Sequence, residues 1–246
     1  MPADYHLEVR SNDRLTPNMR RIVLHGPELA DFPADQEGGY VKLVFAPAEE
    51  GGKPTLRSYT IRAFAPVAQA LTLDFVDHGD EGLASAWANH AQPGDPITIR
   101  GPGDPKRAPS GADWYLLAGD MSALPALAVN LETLPADARG YALIEVLSED
   151  DRQPIEHPEG IELTWLVNPD HERPNALLDE RVRALPWLPG TPYPWFAGEF
   201  STMRSMRRYF RDESGIDKHA MYCSCYWKMG DTDEGMKRAK KLDPDA

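Results

Sequence analysis

Apolar and polar residues alternate in short runs through the first hundred positions. Tyr5 to Arg10, Met19 to His25, Tyr40 to Ala46, Arg57 to Arg62, Ala70 to His78 and Pro96 to Arg100 carry the period-two pattern of half-buried strands. Gly26-Pro27, Gly38-Gly39, Gly51-Gly52 and Gly94-Asp95 punctuate them with turn chemistry. Six strands at this spacing predict an antiparallel barrel or sandwich. One stretch, Gly82 to His90 (GLASAWANH), breaks the alternation. It reads as a helix with small residues at its start, predicted to cap the barrel.

Gly101 to Ala112 (GPGDPKRAPSGA) is rich in Gly and Pro and marks a boundary, giving expected domains 1–108 and 109–246. Beyond it the pattern changes. Asp113 to Gly119 is a continuous apolar run ending in Gly, and a helix is predicted from Ala123 to Thr133, with Ser122 as N-cap and Pro125 in the first turn. Strands follow at Tyr141 to Leu147, Ile161 to Val167, Pro194 to Ala197 and Ala220 to Cys225, and helices at Asn175 to Ala184 and Glu199 to Asp212. Strands alternating with helices predict βαβ units and a doubly wound parallel α/β domain. The charged tail after Lys228 is either a terminal helix around Glu234 to Leu242 or a disordered end.

Composition narrows the class. The hydrophobic share of 41% over 246 residues supports packed cores, and no apolar run reaches the length of a membrane span. The N-terminal residues lack the apolar stretch of a signal peptide, so a cytoplasmic address is expected. A net charge of −13 argues against nucleic acid as a partner. The charge is uneven: from Ser201 onward ten Lys/Arg face eight Asp/Glu, so the first 200 residues carry −15. Cys223 and Cys225 are two residues apart and read as reduced, structural thiols. No metal-ligand spacing occurs among the seven His, and neither GxSxG nor HExxH is present.

The candidate chemistry is that of holding a cofactor. Within Arg57-Ser58-Tyr59-Thr60-Ile61-Arg62, strand geometry puts Arg57, Tyr59 and Ile61 on one face and Ser58, Thr60 and Arg62 on the other. An Arg can hold a phosphate, a Tyr ring can lie on a flat cofactor and a Thr can hydrogen-bond a ring heteroatom. The same stretch also reads as an ordinary strand with polar edges. Gly82, Ala84 and Ser85 open a helix whose amides could cradle a phosphate, or could be a plain N-cap. Gly119-Asp120-Met121-Ser122 follows the first strand of the second domain without a GxGxxG fingerprint. Trp195 to Glu199 ends another strand and leads into a helix bearing Arg204, Arg207, Arg208 and Arg211 on one face. That stripe is either a solvated basic face or a phosphate contact. Tyr226-Trp227-Lys228 could cover a ring and hold an anion, or pack in the core.

The chain resembles the siderophore-interacting proteins, FAD-dependent ferric-siderophore reductases within the ferredoxin-reductase-like superfamily. The resemblance rests on RSYTIR (57–62), DFVDHGDEGLASAWA (74–88), PGDPITIRGP (93–102), YLLAGDMSALPA (115–126), WFAGEFSTMRSMRRYFR (195–211) and YWKMG (226–230). It implies an N-terminal six-stranded antiparallel β-barrel that binds FAD and a C-terminal α/β domain that binds NADPH or NADH. On the family pattern Arg57 contacts the FAD phosphates, and Ser58, Tyr59 and Thr60 the flavin side. Gly82, Ala84 and Ser85 cradle the pyrophosphate. Asp77, His78 and Gly79 are flavin-side neighbours, and Trp227 lies near the flavin or its adenine. Asp120, Ser122, Ala197, Gly198, Glu199 and Arg204 line the nicotinamide crevice. The family's basic triad for an anionic ferric siderophore matches Lys42. Lys106 or Arg107 stands in for the second member, where this chain has Gly103, and Lys228 for the third.

The implied reaction passes electrons from NAD(P)H through FAD to siderophore-bound Fe(III), releasing Fe(II), with no catalytic side chain and no metal ligand of the protein's own. Two alternatives stay open: reduced ferredoxin as the electron donor, and a non-catalytic siderophore-binding protein. A monomer is the expected state.

Overall fold

The computed structural model describes residues 3–46, 52–77, 79–80, 82–170 and 176–243. The chain forms two compact units, Met1–Arg107 and Ala108–Ala246.

The first unit is built from β1 (Ala3–Thr16), β2 (Met19–His25), β3 (Tyr40–Phe45), β4 (Thr55–Ala65), β5 (Ala70–Val76), α1 (Leu83–His90) and β6 (Pro96–Gly103). The strands close a barrel in the order β1-β2-β5-β4-β3-β6, every neighbour antiparallel. Alternation sets the inside. Tyr5, Leu7 and Val9, then Val41, Leu43 and Phe45, are buried with Ile61, Leu71, Leu73, Phe75, Ile97 and Ile99. The intervening Tyr40, Lys42 and Val44 face outward. On the outer surface Arg21 grips the buried Asp74 directly across the β2–β5 ladder through bonds of 2.7 and 2.8 Å. The helix α1 packs Ala84, Ala88 and Trp87 onto the barrel core, and Asn12 closes its last turn by donating to the carbonyls of Ala88 and Ala91.

β1 runs well past its expected end at Arg10. It forms a long hairpin with β2, closed by Pro17-Asn18 between the paired Thr16 and Met19, so ladder pairing carries the polar run Ser11 to Arg14 into the sheet. β4 exceeds its partner. Its ladder with β5 covers only Ile61↔Leu73 to Ala65↔Ala70, whereas its ladder with β3 covers Tyr40↔Thr60 to Phe45↔Thr55. The β4–β5 seam is therefore open along residues 55–60 of one strand and 74–76 of the other.

The second unit contains β7 (Trp114–Gly119), α2 (Leu124–Thr133), β8 (Arg139–Val146), β9 (Gly160–Val167), α3 (Leu177–Arg183), β10 (Pro192–Glu199), α4 (Phe200–Arg208), β11 (Tyr222–Trp227) and α5 (Asp233–Leu242). Its sheet is wholly parallel, in the order β11-β10-β7-β8-β9. All of β7 is buried, as expected of a central strand covered on both faces. The chain reverses direction across the sheet between β7 and β10, the switch point at which open α/β sheets bind ligands. Glycine makes the close approach possible there: a Cβ on Gly119 would meet the Ala197 carbonyl at 2.4 Å.

Two expectations fail locally. Ser122 is not the N-cap of α2; Ala123 takes that position without a side-chain cap, because the Ser122 hydroxyl donates to Asp120. The helix expected over Glu199 to Asp212 is α-helical only to Arg208. It then widens into a π turn over Tyr209–Glu213, which buries the adjacent Tyr209 and Phe210 together. No helix among the described residues is long and apolar enough to cross a membrane.

Candidate functional site

In the barrel the site forms along the open seam. Arg57, Ser58, Tyr59 and Thr60 all lie on the length of β4 that pairs with β3 on one side and, among the described residues, with no strand on the other. Tyr59 turns inward, its ring 4.1 Å from that of Phe75, and joins Trp87 at the rim of the core. Ser58 and Thr60 point to the outer face, opposite Lys42 and Tyr40. Arg57 is half-buried, with Nη1 donating to the Leu56 carbonyl at 3.2 Å.

The loop leading into α1 is pinned by Asp77. Its carboxylate accepts from the Gly79 amide at 3.0 Å, from Asn89 at 3.2 Å and from Arg14 at 2.9 Å, with Arg20 at 3.6 Å. Burial pushes this carboxyl up, but the Gly79 amide, Asn89 and Arg14 outweigh it and hold it below the ordinary carboxylate value. The Gly79 carbonyl in turn accepts from Ser85 Oγ at 2.7 Å and from Asn89 at 2.9 Å. Ser85 thus directs its hydroxyl at the loop itself. Ala84 packs inward, which leaves its backbone as the part that can face a ligand. Gly79 and Gly82 have φ of 66° and 92°, in the left-handed region, and an added Cβ would meet no atom of the described residues within 4 Å at either. Backbone conformation, not crowding, requires glycine at both, and the space in front of them is open. His78 lies outside the described residues.

This arrangement fits a dinucleotide. It offers a strand segment beyond the end of the β4–β5 ladder beside an aromatic floor, a guanidinium on the same segment, and a glycine-rich turn opening a helix. Asn89 and Arg14 escaped the sequence reading. Asn89 had a signal, since it stands four residues after Ser85 on the same helical face; Arg14 had none, because it comes from the distant β1–β2 hairpin.

At the switch point of the second unit the strand ends are tied to one another. Asp120 Oδ1 accepts from the amide and hydroxyl of Ser122, the former at 2.9 Å, and Oδ2 accepts from the Glu199 amide at 2.9 Å and Trp227 Nε1 at 2.8 Å. Burial pushes this carboxyl up against those four bonds, which favour the charged form. A Cβ on Gly198 would meet Asp120 Oδ2 at 2.6 Å, so glycine there is steric. Glu199 caps α4, accepting from Ser201 and from the Thr202 amide at 3.2 Å, while its other oxygen takes the Met229 amide. Asp120, Ser122, Glu199 and Trp227 thus form one hydrogen-bonded group packed against Gly198, with Ala197 wholly buried beside it. Arg204 and Arg207 both close on the buried carboxylate of Asp243, at 3.3 and 2.9 Å. A cavity of about 200 Å³ runs along α4, lined by Phe200, Ser201, Arg204, Ser205 and Arg208. Its two serines already donate to Glu199 and Asp179.

Of the cationic candidates, Lys42 and Lys106 belong to the barrel unit and Lys228 to the second. Lys42 lies on the outer face, across from Ser58 and from Arg100, whose guanidinium is held bidentately by Asp4. The Lys106 amide donates to the Gly38 carbonyl. Lys228 pairs with Asp231 at 2.8 Å, a surface contact that water and salt weaken and that is easily exchanged. The thiols of Cys223 and Cys225 are pushed up to about 12 by burial and are inert at neutral pH.

Residues 112–230 match the family described as siderophore-interacting protein, and residues 8–52 and 47–106 match the siderophore-interacting FAD-binding domain. The chain belongs to the siderophore-interacting protein family. It is 34% identical to the ferric vibriobactin reductase ViuB of Vibrio cholerae over 88% of this chain and 86% of that one. It is 28% identical to the NADPH-dependent ferric-chelate reductase of Escherichia coli over 90% and 91%. The crystal structure of the siderophore-interacting protein SipS from Aeromonas hydrophila superposes with a TM-score of 0.88 at 34% identity, covering 100% of this chain and 99% of that one. The open seam lies within the part matched as FAD-binding, and the switch-point group within the siderophore-interacting part.

Proposed function

We propose that the protein is an FAD-dependent ferric-siderophore reductase that takes electrons from NADPH or NADH and releases Fe(II) from the chelate. The observation that carries this is the open β4–β5 seam, with Arg57 to Thr60 on one edge and the Gly79–Gly82 turn opening α1. Relatives of similar length named as ferric reductases, at 34% and 28% identity, support the substrate class.

Bound FAD supplies the redox chemistry, converting a two-electron donor into single electrons for ferric iron. The chain's own residues bind and orient. Arg57 would neutralise phosphate charge, and the helix start at Gly82, Ala84 and Ser85 would present backbone amides to the diphosphate, with the Gly79 amide spent on holding the loop through Asp77. Tyr59, backed by Phe75, gives the ring system an apolar floor, and Thr60 offers a hydroxyl at its edge. Lys42 and Lys106 on the barrel unit would attract an anionic chelate, and Lys228 adds a cation on the second unit. Fe(II) holds hard oxygen ligands less tightly than Fe(III), so reduction suffices for release and no acid or base is required. Ser122, Ala197 and Gly198 frame the nicotinamide side, with Asp120 and Glu199 fixing their backbone. Trp227 is held by Asp120.

Reduced ferredoxin is a second reading, and one observation favours it. The amides of Ser122, Glu199, Ser201 and Thr202, the donors a dinucleotide phosphate would seek at a switch point, already bond to Asp120 and Glu199. Steady-state Fe(II) trapping with a ferric siderophore and each of NADPH, NADH and reduced ferredoxin separates the two. Turnover with a nicotinamide supports the first; turnover with ferredoxin alone replaces it.

A further inference from the structure

The outer face of the barrel carries an aromatic ring set into a gap that only glycine leaves. Tyr40 begins β3 and pairs with Gly103 of β6 on one side and Thr60 of β4 on the other. A Cβ on Gly103 would fall 2.2 Å from Tyr40 Cζ and 2.3 Å from Cε1, so the ring rests on a bare α-carbon. Gly103 has no positive φ that would demand glycine. Its missing side chain is what seats the ring. Tyr40 is nevertheless 37% exposed, unusually open for an aromatic ring packed on backbone. Lys42, two residues on and on the same face, holds its Nζ 5.9 Å from the ring centroid, at the outer reach of a cation–π contact.

The place matters as much as the shape. Thr60 is Tyr40's direct cross-strand partner, which puts their Cβ atoms about 5 Å apart. Thr60 and Ser58 lie on the flavin-binding length of β4 in the reading above, on which this inference rests. A planar group laid on Tyr40 is therefore held beside the electron source, with a mobile ammonium at hand.

We propose that Tyr40, seated on Gly103, is a stacking plate for a planar aromatic arm of the ferric chelate, with Lys42 turning to the arm's anionic oxygens. The site then selects aryl, catecholate-type chelates over aliphatic hydroxamates. Stacking an electron-rich catecholate arm uses both faces of the chemistry present: a ring for dispersion and offset stacking, a cation for the oxygen donors. An aliphatic hydroxamate arm has no ring to stack and gains little from the plate.

The test is equilibrium dialysis of FAD-loaded, oxidised protein against two radio-iron-labelled probes, the ferric complexes of a synthetic triscatecholate and of a linear aliphatic trihydroxamate. Tyr40→Ala should raise Kd for the triscatecholate about three- to tenfold, the range of an aromatic contact. Kd for the trihydroxamate should move less than twofold. Tyr40→Phe should restore the triscatecholate affinity. Gly103→Ala, which keeps the tyrosine but displaces its ring, should reproduce the Tyr40→Ala loss. FAD content should be unchanged in all three. Equal losses for both probes, or none in Tyr40→Ala while the wild type binds the triscatecholate, overturn the plate and leave the reductase reading standing. A wild-type protein that takes up FAD but binds neither probe removes the chelate site and the plate with it.

Discussion

Asp77 and Asp120 are both partly buried carboxyls, and their surroundings move them in opposite directions. Asp77 lies below its ordinary value because Gly79, Asn89 and Arg14 together overcome burial. Its contribution to stability is complete above the unfolded value of 3.8 and is lost as pH falls through the lower native one. Asp77→Asn should therefore loosen the Gly79 turn and weaken FAD retention several-fold, measured by flavin loss on dialysis, with the effect fading at pH below that window. Asp120 behaves in reverse. Its native pKa is raised, so the folded chain holds the proton longer than the unfolded one, and stability falls as pH rises from 3.8 through the native value. Asp120→Asn turns an amide donor toward four donors and should cost about 1–3 kcal/mol. That cost, read from urea unfolding, should be greatest near the low end of the window and shrink as pH rises. Both residues stood in the sequence as ligand contacts. That they are bound up within the protein was illegible there, because Asn89, Arg14 and Trp227 reach them only through the fold.

At the level of elements, alternation in strands such as β3 and β5 pointed to a barrel or sandwich, which the family resemblance narrowed to a six-stranded barrel, and strands alternating with helices from β7 onward pointed to the parallel sheet. The mismatch in length between β4 and β5 was not readable, since Arg57 to Thr60 alternates like any paired strand and only the ladder shows which side is bare. The arginine stripe on α4 was visible by its spacing, yet its partner was not. Asp243, just after α5, is buried between Arg204 and Arg207 and ties the terminal helix to α4. Lys240 adds a bond to the Cys225 carbonyl, and Met236 packs in the core. Asp243→Asn should release that helix at a cost of about 1–3 kcal/mol, seen as early hydrogen exchange in residues 233–242 without loss of bound FAD.

At the scale of the whole molecule, the proposed function sets an acidic chain against an anionic substrate, which local charge would reconcile. Net −13 would oppose a ferric chelate at a distance, while Lys42, on a face where Arg100 is already neutralised by Asp4, would provide attraction at contact. Lys42→Ala should raise Kd for an anionic ferric siderophore about threefold to tenfold at low salt, and less at high salt, with FAD content unchanged. Beyond this the account turns on electron flow through a bound flavin. The direct measurement is an anaerobic single turnover followed in the visible spectrum: purified protein loaded with FAD, reduced chemically, then mixed with a ferric siderophore and an Fe(II) trap. The account predicts flavin bands in the loaded protein, bleaching on reduction, and their return as the chelate is added, with two Fe(II) trapped per flavin reoxidised. A protein that takes up no FAD, or a reduced flavin left bleached by the ferric siderophore, would contradict it.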